Sequence, residues 1–332
     1  MKGTGKYIRY LLFWGIFAVI LFYLSILLEP KENSEEAGVA LRDTKGMLLM
    51  GEPKETIDVY FFGDSITFTG ISPMQMWEDT GMTSYVCGQS GQKIVEVYFW
   101  LRELYDAQTP EVVVLETNTL YNGEGAVFEA DYGLGETIQY YVPAVKYHNR
   151  WKNLHWNDLK KKPNYKERDL FKGFEIKREV EPYSGGTYMQ ETGEKQKTDV
   201  ISMYYLDKVK TFCEKREIEL LLVSVPSPDS WNMEQHNAVA EYAEKQKLTY
   251  LDMNLYLEEI GIDWQEDTMD SGIHLNCAGA KKVSGYMGNY LAEHYKLTDH
   301  REDRKYKSWE KDLKRYREVA PDVTDKGTGS ES

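Results

Sequence analysis

"IDVYFFGDSIT", Ile57 to Thr67, is an apolar and β-branched run that ends in a glycine, an acid and a serine before any helical pattern begins. A run of this length bounded by a turn signal reads as a strand buried on both faces. The serine therefore stands at the carboxyl end of a strand, either as a helix cap or as a reactive group. Asp and Ser are both preferred N-caps, so capping alone accounts for an isolated "DS". The rest of the chain decides between the two.

Four further runs have the same character: Ser84 to Gly88, Glu111 to Glu116, Ile218 to Val225 and Leu248 to Met253. Helical periodicity lies between them, at about Gln92 to Asp106, Ile201 to Arg216, Gln235 to Lys245 and Ala278 to Tyr295. Strands alternating with helices imply a parallel sheet covered on both sides. The expected fold is therefore α/β, a three-layer α/β/α sandwich. Residues 120–198 break the alternation. They are rich in Tyr, Trp and Lys, and so long an insertion is more often a binding element or lid than a passive loop. Within it "SGG", Ser184 to Gly186, is a candidate hairpin turn.

The N-terminal segment Tyr10 to Leu28 is 19 residues without a charge, close to the ~20 that cross a bilayer as a helix. Lys2, Lys6 and Arg9 precede it, and Glu29, Glu32, Glu35 and Glu36 follow. The positive-inside rule then puts the N-terminus in the cytoplasm and the rest of the chain outside. A secretory signal is the competing reading, but the stretch exceeds an ordinary h-region and no small-x-small cleavage site follows closely. The expected organisation is a cytoplasmic stub and transmembrane anchor (1–28), a polar linker (29–55), an α/β domain (56–297) and a charged tail (298–332). In that tail "REDRKYKSWEKDLKRYREV" is a candidate solvated helix and "TDKGTGSES" an expected disordered end.

Among the 332 residues, 54 acids against 40 bases give a formal net charge of −14, which disfavours a nucleic-acid partner. Cys87, Cys213 and Cys277 are too few and too scattered for a disulfide framework or a zinc site. No metal ligand cluster or cofactor motif is visible.

Functional groups of a parallel α/β sheet gather beyond the carboxyl ends of its strands. Ser65 follows the first strand, Gly88 the second in "CGQSG", and Asn118 the third in "LETN"; "DSGIHLNCAGA" sets Asp270 and His274 just before the last helix. A serine hydroxyl needs a base to become a nucleophile, and a histidine held by an acid supplies one.

These blocks resemble the SGNH hydrolase superfamily, also called the GDSL family, over about Ile57 to Tyr295. The resemblance implies a flavodoxin-like parallel sheet and acyl transfer through a serine ester. "FFGDSIT" matches the first block with Ser65 as nucleophile. "YVCGQSGQ" and "LETNTLYN" match the second and third, so that the oxyanion would be held by Ser65, Gly88 and Asn118. "DSGIHLN" matches the last, with His274 as base and Asp270 as its acid. Two positions depart from the family. Glu116 stands where a glycine usually precedes the asparagine by two. Asp270 lies four residues before His274 rather than three, with Asp267 as the fallback acid.

Asp64, Glu116 and Trp231 are candidates for substrate contact, and Trp151 and Trp156 are further candidate sugar platforms. Together with the anchor, the pattern looks like the branch of the superfamily that modifies envelope polymers beside a membrane-bound O-acyltransferase, as in alginate O-acetylation or teichoic-acid D-alanylation. The implied function is an extracytoplasmic acyltransferase or esterase acting on O-acyl groups of a cell-envelope glycopolymer. The alternatives are a non-catalytic scaffold for a membrane acyltransferase and a small-ester esterase or lipase.

Overall fold

A computed structural model describes residues 4–34 and 44–320. Helices α1 (Thr4–Leu28) and α2 (Thr44–Leu49) come first. There follow β1 (Val59–Gly63), α3 (Ser65–Gly70), α4 (Pro73–Thr80), β2 (Ser84–Gly88), α5 (Ile94–Tyr105), β3 (Val112–Glu116), α6 (Ala126–Tyr141), α7 (Pro143–Lys146) and α8 (Val200–Glu214). The chain ends with β4 (Glu219–Ser224), α9 (Met233–Gln246), β5 (Thr249–Asp252), α10 (Leu257–Ile260), α11 (Cys277–His294) and α12 (Lys307–Val319). The expected "TDKGTGSES" end, Glu35 and Glu36, and Lys2 lie outside the described residues.

All five strands are parallel, in the order β2-β1-β3-β4-β5. Strand side chains alternate between two cores. Tyr60, Phe62, Val113, Leu115 and Leu222 pack with α5, α8 and α9 on one face, while Val59, Phe61, Val114, Leu221 and Val223 pack with α3 and α11 on the other. Burial on both faces is why the strands read as continuous apolar runs. Because β2 and β3 flank β1 on opposite sides, the chain leaves the ends of β1 and β3 in opposite directions and opens a crevice there. Ser65 stands at that crevice.

Three parts of the chain differ from the expected organisation. The first is the linker. Asn33 is buried and its amide donates to Met47 O (3.0 Å) and Glu167 O (2.6 Å), while its Oδ1 accepts from the N–H groups of Lys166 and Glu167. Met47 and Leu49 of α2 are buried as well. Single polar side chains make these contacts, so no period in the sequence announces them.

The second is the C-terminal segment. It packs α12 onto the domain through Trp309, Leu313 and Tyr316, all buried, instead of standing in solvent. Their spacing of four and three residues makes one helical face.

The third is the insertion. It begins with α6 and α7 and continues from about residue 160 as an extended strap. The strap gives Lys172 O to Val86 N at the edge of β2, takes Phe68 O at Glu175 N, and takes Thr268 O at Glu181 N. No strand forms at the candidate hairpin turn Ser184 to Gly186.

These three parts meet at one buried ion cluster. Lys172 is fully buried, with Nζ 2.9 Å from Glu52 Oε1 and 2.7 Å from Asp312 Oδ2; Arg168 pairs with the same two carboxylates at 3.2 and 3.5 Å. The Lys172 ammonium also lies 4.9 Å from the centre of the Trp309 ring.

Helix α1 is apolar and long enough to cross a bilayer, as an anchor or as a secretory signal. Its end is docked on the insertion. Arg150 donates to Leu28 O (2.6 Å) and Glu29 O (2.7 Å), Ala144 N donates to Ser25 Oγ (3.2 Å), and Leu28 packs with Ala144 and Tyr147.

Removing one member of a buried ion cluster strands the others. Lys172→Met is expected to cost ~3–5 kcal/mol, and replacing Glu52, Lys172 and Asp312 together with apolar residues of similar volume should recover most of it, since Arg168 is a quarter exposed and can turn to water. Urea unfolding of the three-residue variant beside Lys172→Met checks this, and equal losses in both would refute it.

Candidate active site

The turn after β1 is built by Asp64. Its Oδ1 accepts from Ile66 N (3.0 Å) and so caps α3, which makes Ser65 the first residue of that helix. Its Oδ2 accepts from the side-chain amides of Asn118 and Asn122, each at 2.8 Å. Asn122 also donates to Gln92 O (2.9 Å). The Gln92 side chain in turn accepts from Gly63 N (3.0 Å) and donates to Cys87 O (3.3 Å). One carboxylate and one amide thus tie together the ends of β1, β2 and β3.

Ser65 Oγ lies 2.7 Å from His274 Nε2, and His274 Nδ1 lies 2.5 Å from Asp270 Oδ2. The second oxygen, Oδ1, accepts from His274 N (2.7 Å). The four-residue spacing works because Ser271 (φ 59°) and Gly272 (φ 102°) both take left-handed backbone, which absorbs the extra residue. A side chain at Gly272 would also run into Pro228 and the Tyr183 ring. Ser271, at the spacing the family leads one to expect for the acid, turns away and donates to Glu181 Oε1 (2.8 Å). The fallback acid Asp267 is fully buried and its Oδ2 is held by Lys282 (2.6 Å) and Asp263 N (2.7 Å).

Gly88 ends β2 opposite Gly63, so close that a Cβ on it would stand 2.8 Å from Gly63 O. Asn118 sits in a single 3-10 turn, Thr117–Leu120, with one amide hydrogen given to Asp64. The amide carries two hydrogens, so the second can serve another acceptor. Backbone N–H groups and amide hydrogens of this kind are the donors that hold the oxyanion of an acyl-transfer step.

The three candidates for substrate contact sit elsewhere than expected. Asp64 is buried and its oxygens are taken by the backbone and the two asparagines. Glu116 is buried behind Asn118, where Oε2 accepts from Asn118 N (3.0 Å) and shapes the turn. Burial first, and then the nearby Asp64 charge, push its carboxyl well above the ordinary value. Trp231, 3% exposed, gives Nε1–H to Asp252 Oδ2 (2.9 Å) as part of the core. That carboxylate also lies 2.8 Å from His236 Nδ1 and accepts from Tyr250 OH (3.2 Å), so His236 belongs to a bracing network around the end of β5. Trp151 is exposed, and the Trp156 side chain lies outside the described residues.

The sequence reading missed Asn122 and Gln92. Both stand inside quoted blocks, "LETNTLYN" and "YVCGQSGQ", but their bracing role depends on contacts between strand ends. Burial leaves the Cys87 thiol well above its ordinary pKa. The three cysteines are free and buried, and no group of acids, histidines and cysteines among the described residues could hold a metal ion.

No protein-family model and no curated protein matches the chain. Several solved structures are similar to it. One is a candidate acylhydrolase from Bacteroides fragilis, with 14% identity over 77% of this chain and 98% of that one, at a TM-score of 0.39. A second is a GDSL-like lipase from Bacteroides thetaiotaomicron, with 14% identity over 78% and 94% and a TM-score of 0.35. A third is an acetyl xylan esterase from Butyrivibrio proteoclasticus, with 11% identity over 73% and 64% and a TM-score of 0.33.

The buried carboxyl of Glu116 has a pH signature. Its folded pKa is raised above 4.5, so the unfolded chain ionises first and stability contributed at low pH is lost as pH rises from about 4.5 through the folded value. Glutamine does not titrate. The stability of Glu116→Gln relative to wild type should therefore shift in the variant's favour as pH rises from 4 to 8, whatever the offset at pH 4. Parallel urea titrations at the two pH values measure that shift, and a constant difference would contradict it.

Proposed function

We propose that the chain is an SGNH-type serine acyltransferase or esterase, anchored in the membrane, whose domain outside the cytoplasm acts on O-acyl groups of cell-envelope glycopolymers. The observation that carries the reading is the line Ser65 Oγ, His274 Nε2, His274 Nδ1, Asp270 Oδ2, with its 2.7 and 2.5 Å contacts. In the reaction His274 takes the Ser65 proton as Oγ forms its bond to the acyl carbon. The resulting oxyanion is held by the backbone N–H groups of Ser65 and Gly88 and by the free hydrogen of the Asn118 amide. Collapse breaks the bond to the leaving alcohol or thiol, which receives the proton from His274. A second hydroxyl, from water or a sugar, then repeats the sequence against the acyl-serine and restores Ser65.

Two features favour an active enzyme over a scaffold. The departures that raised the scaffold reading are accommodated: Asp270 reaches His274, and Glu116 shapes the Asn118 turn. A cavity of about 590 Å³ opens beside Gly88 and Phe68 and is lined by Lys45, Lys93, Glu96 and Glu175. Charged groups interleaved with Phe68 and Tyr132 suit a short acyl group carried by a polar leaving group. The docked end of α1 supports work close to the membrane, beside a membrane-bound donor such as an O-acyltransferase would present.

A fluorophosphonate probe on the full chain, read by intact mass, should add one label at Ser65 and none in Ser65→Ala or His274→Ala. Absence of labelling in folded wild-type protein would refute the acyl-serine. Loss of one oxyanion donor costs ~2.7–4 kcal/mol of barrier, so Asn118→Ala should lower kcat on a short acyl ester by about a hundredfold or more. Turnover of Asn118→Ala near wild type would remove Asn118 from the oxyanion site.

A further inference from the structure

A second cavity lies apart from the one beside Gly88 and Phe68. It measures about 790 Å³ and forms between the strap and the segment that runs from β5 to α11. That volume is in the range of small-molecule sites, ~300–1,000 Å³. One wall is a corner of three rings: Tyr183, Tyr188 and Trp264 stand mutually edge-on with centroids 6.2–6.5 Å apart. Tyr188 OH is fixed by Asn254 Oδ1 (2.9 Å). The opposite side offers the exposed Leu255 and Tyr256 and two carboxylates, Glu258 and Glu259. No lysine or arginine is among its lining residues.

The wall is bound to the loop that carries the proposed catalytic groups. Tyr183 N donates to Trp264 O (3.0 Å), Glu181 N to Thr268 O (3.1 Å), and Ser271 N to Glu181 O (2.9 Å). Gly272, two residues from both Asp270 and His274, leaves just enough room for the Tyr183 ring. The cavity wall is therefore fixed to the loop that carries Asp270 and His274.

We infer that this cavity is a saccharide-binding subsite that takes a neutral or amino-bearing stretch of glycan and rejects an anionic one. Aromatic faces accept the apolar faces of sugar rings. Carboxylates accept hydrogen bonds from hydroxyl and ammonium groups. With two carboxylates and no cation on the lining, a uronate or phosphate polymer meets repulsion there. The inference rests on the proposed function for its purpose, since it supplies the grip that presents a polymer to Ser65; its binding chemistry stands on the cavity alone.

The full chain in detergent micelles is titrated with chitohexaose, with its de-N-acetylated counterpart, with hexagalacturonate and with an oligolysine peptide, and binding is followed by tryptophan emission and calorimetry. Saturable binding of the first two, with hexagalacturonate at least about tenfold weaker, is expected, and Tyr256→Ala and Leu255→Ser should each weaken it by several-fold to about tenfold. Both positions are on the surface, and each variant is checked for an unchanged melting temperature. Binding of hexagalacturonate as tight as that of the neutral oligomer, binding of the peptide alone, absence of saturation, or indifference to both variants overturns the inference. Fluorophosphonate labelling of the same wild-type sample separates the two readings. Labelled protein that ignores saccharide loses only the subsite, and unlabelled protein that binds saccharide loses only the acyl-serine.

Discussion

Everything at the candidate site hangs on where the Asp64 carboxylate sits. One oxygen caps α3 and so fixes Ser65 as the residue that leaves β1; the other holds the amides of Asn118 and Asn122 at the end of β3. The sheet order makes this necessary. Neighbouring strands that part at a crevice have no backbone hydrogen bonds to hold their ends together beyond the last ladder pair, and side chains must close the gap. Charge-assisted hydrogen bonds do so with little freedom left to the amide, and an oxyanion donor works only when it is oriented before the charge forms. The acid that looked like a substrate contact is thus the brace for Asn118, the proposed oxyanion donor.

The same logic explains Glu116. A carboxylate beside the rim would oppose a negative intermediate, but this one lies behind the turn, accepts the Asn118 backbone N–H, and is driven toward its neutral form by burial and by Asp64. A glycine at this place leaves the turn to backbone geometry alone. Here a side chain supplies the constraint, and a carboxyl shifted toward its neutral form costs less to bury.

The strands were legible because burial on both faces writes unbroken apolar runs, and the pairing of Ser84 to Gly88 with β1 begins and ends where the run does. The proposed catalytic line was legible for a different reason: Ser65, Asp270 and His274 each stand at a boundary between elements, where sequence alone gives position. What escaped depends on distance in the chain. Lys172 meets Glu52 and Asp312, 120 and 140 residues away, and nothing local marks a lysine as buried. Trp231 was ambiguous because a tryptophan is equally at home in a core or on a sugar, and only the Asp252 carboxylate beside its Nε1–H decides. The face of α12 is written in the sequence, since Trp309, Leu313 and Tyr316 repeat at helical spacing, but the high charge of the segment masks it.

The ion cluster also changes what an anchor would do. A flexible tether gives the active site a cloud of positions above the membrane, with an effective concentration set by tether length. This chain instead seats the end of α1 against α7 and Arg150, clamps residues 30–33 to the strap, and ties the strap to Glu52 and Asp312. With α1 in a bilayer, the crevice would stand at a set height and orientation. Such a mount favours a donor delivered from one fixed place over substrates that arrive from every side, since a rigid geometry raises encounter only along the direction it faces. That directionality supports the proposed work of the site on acyl groups at a membrane.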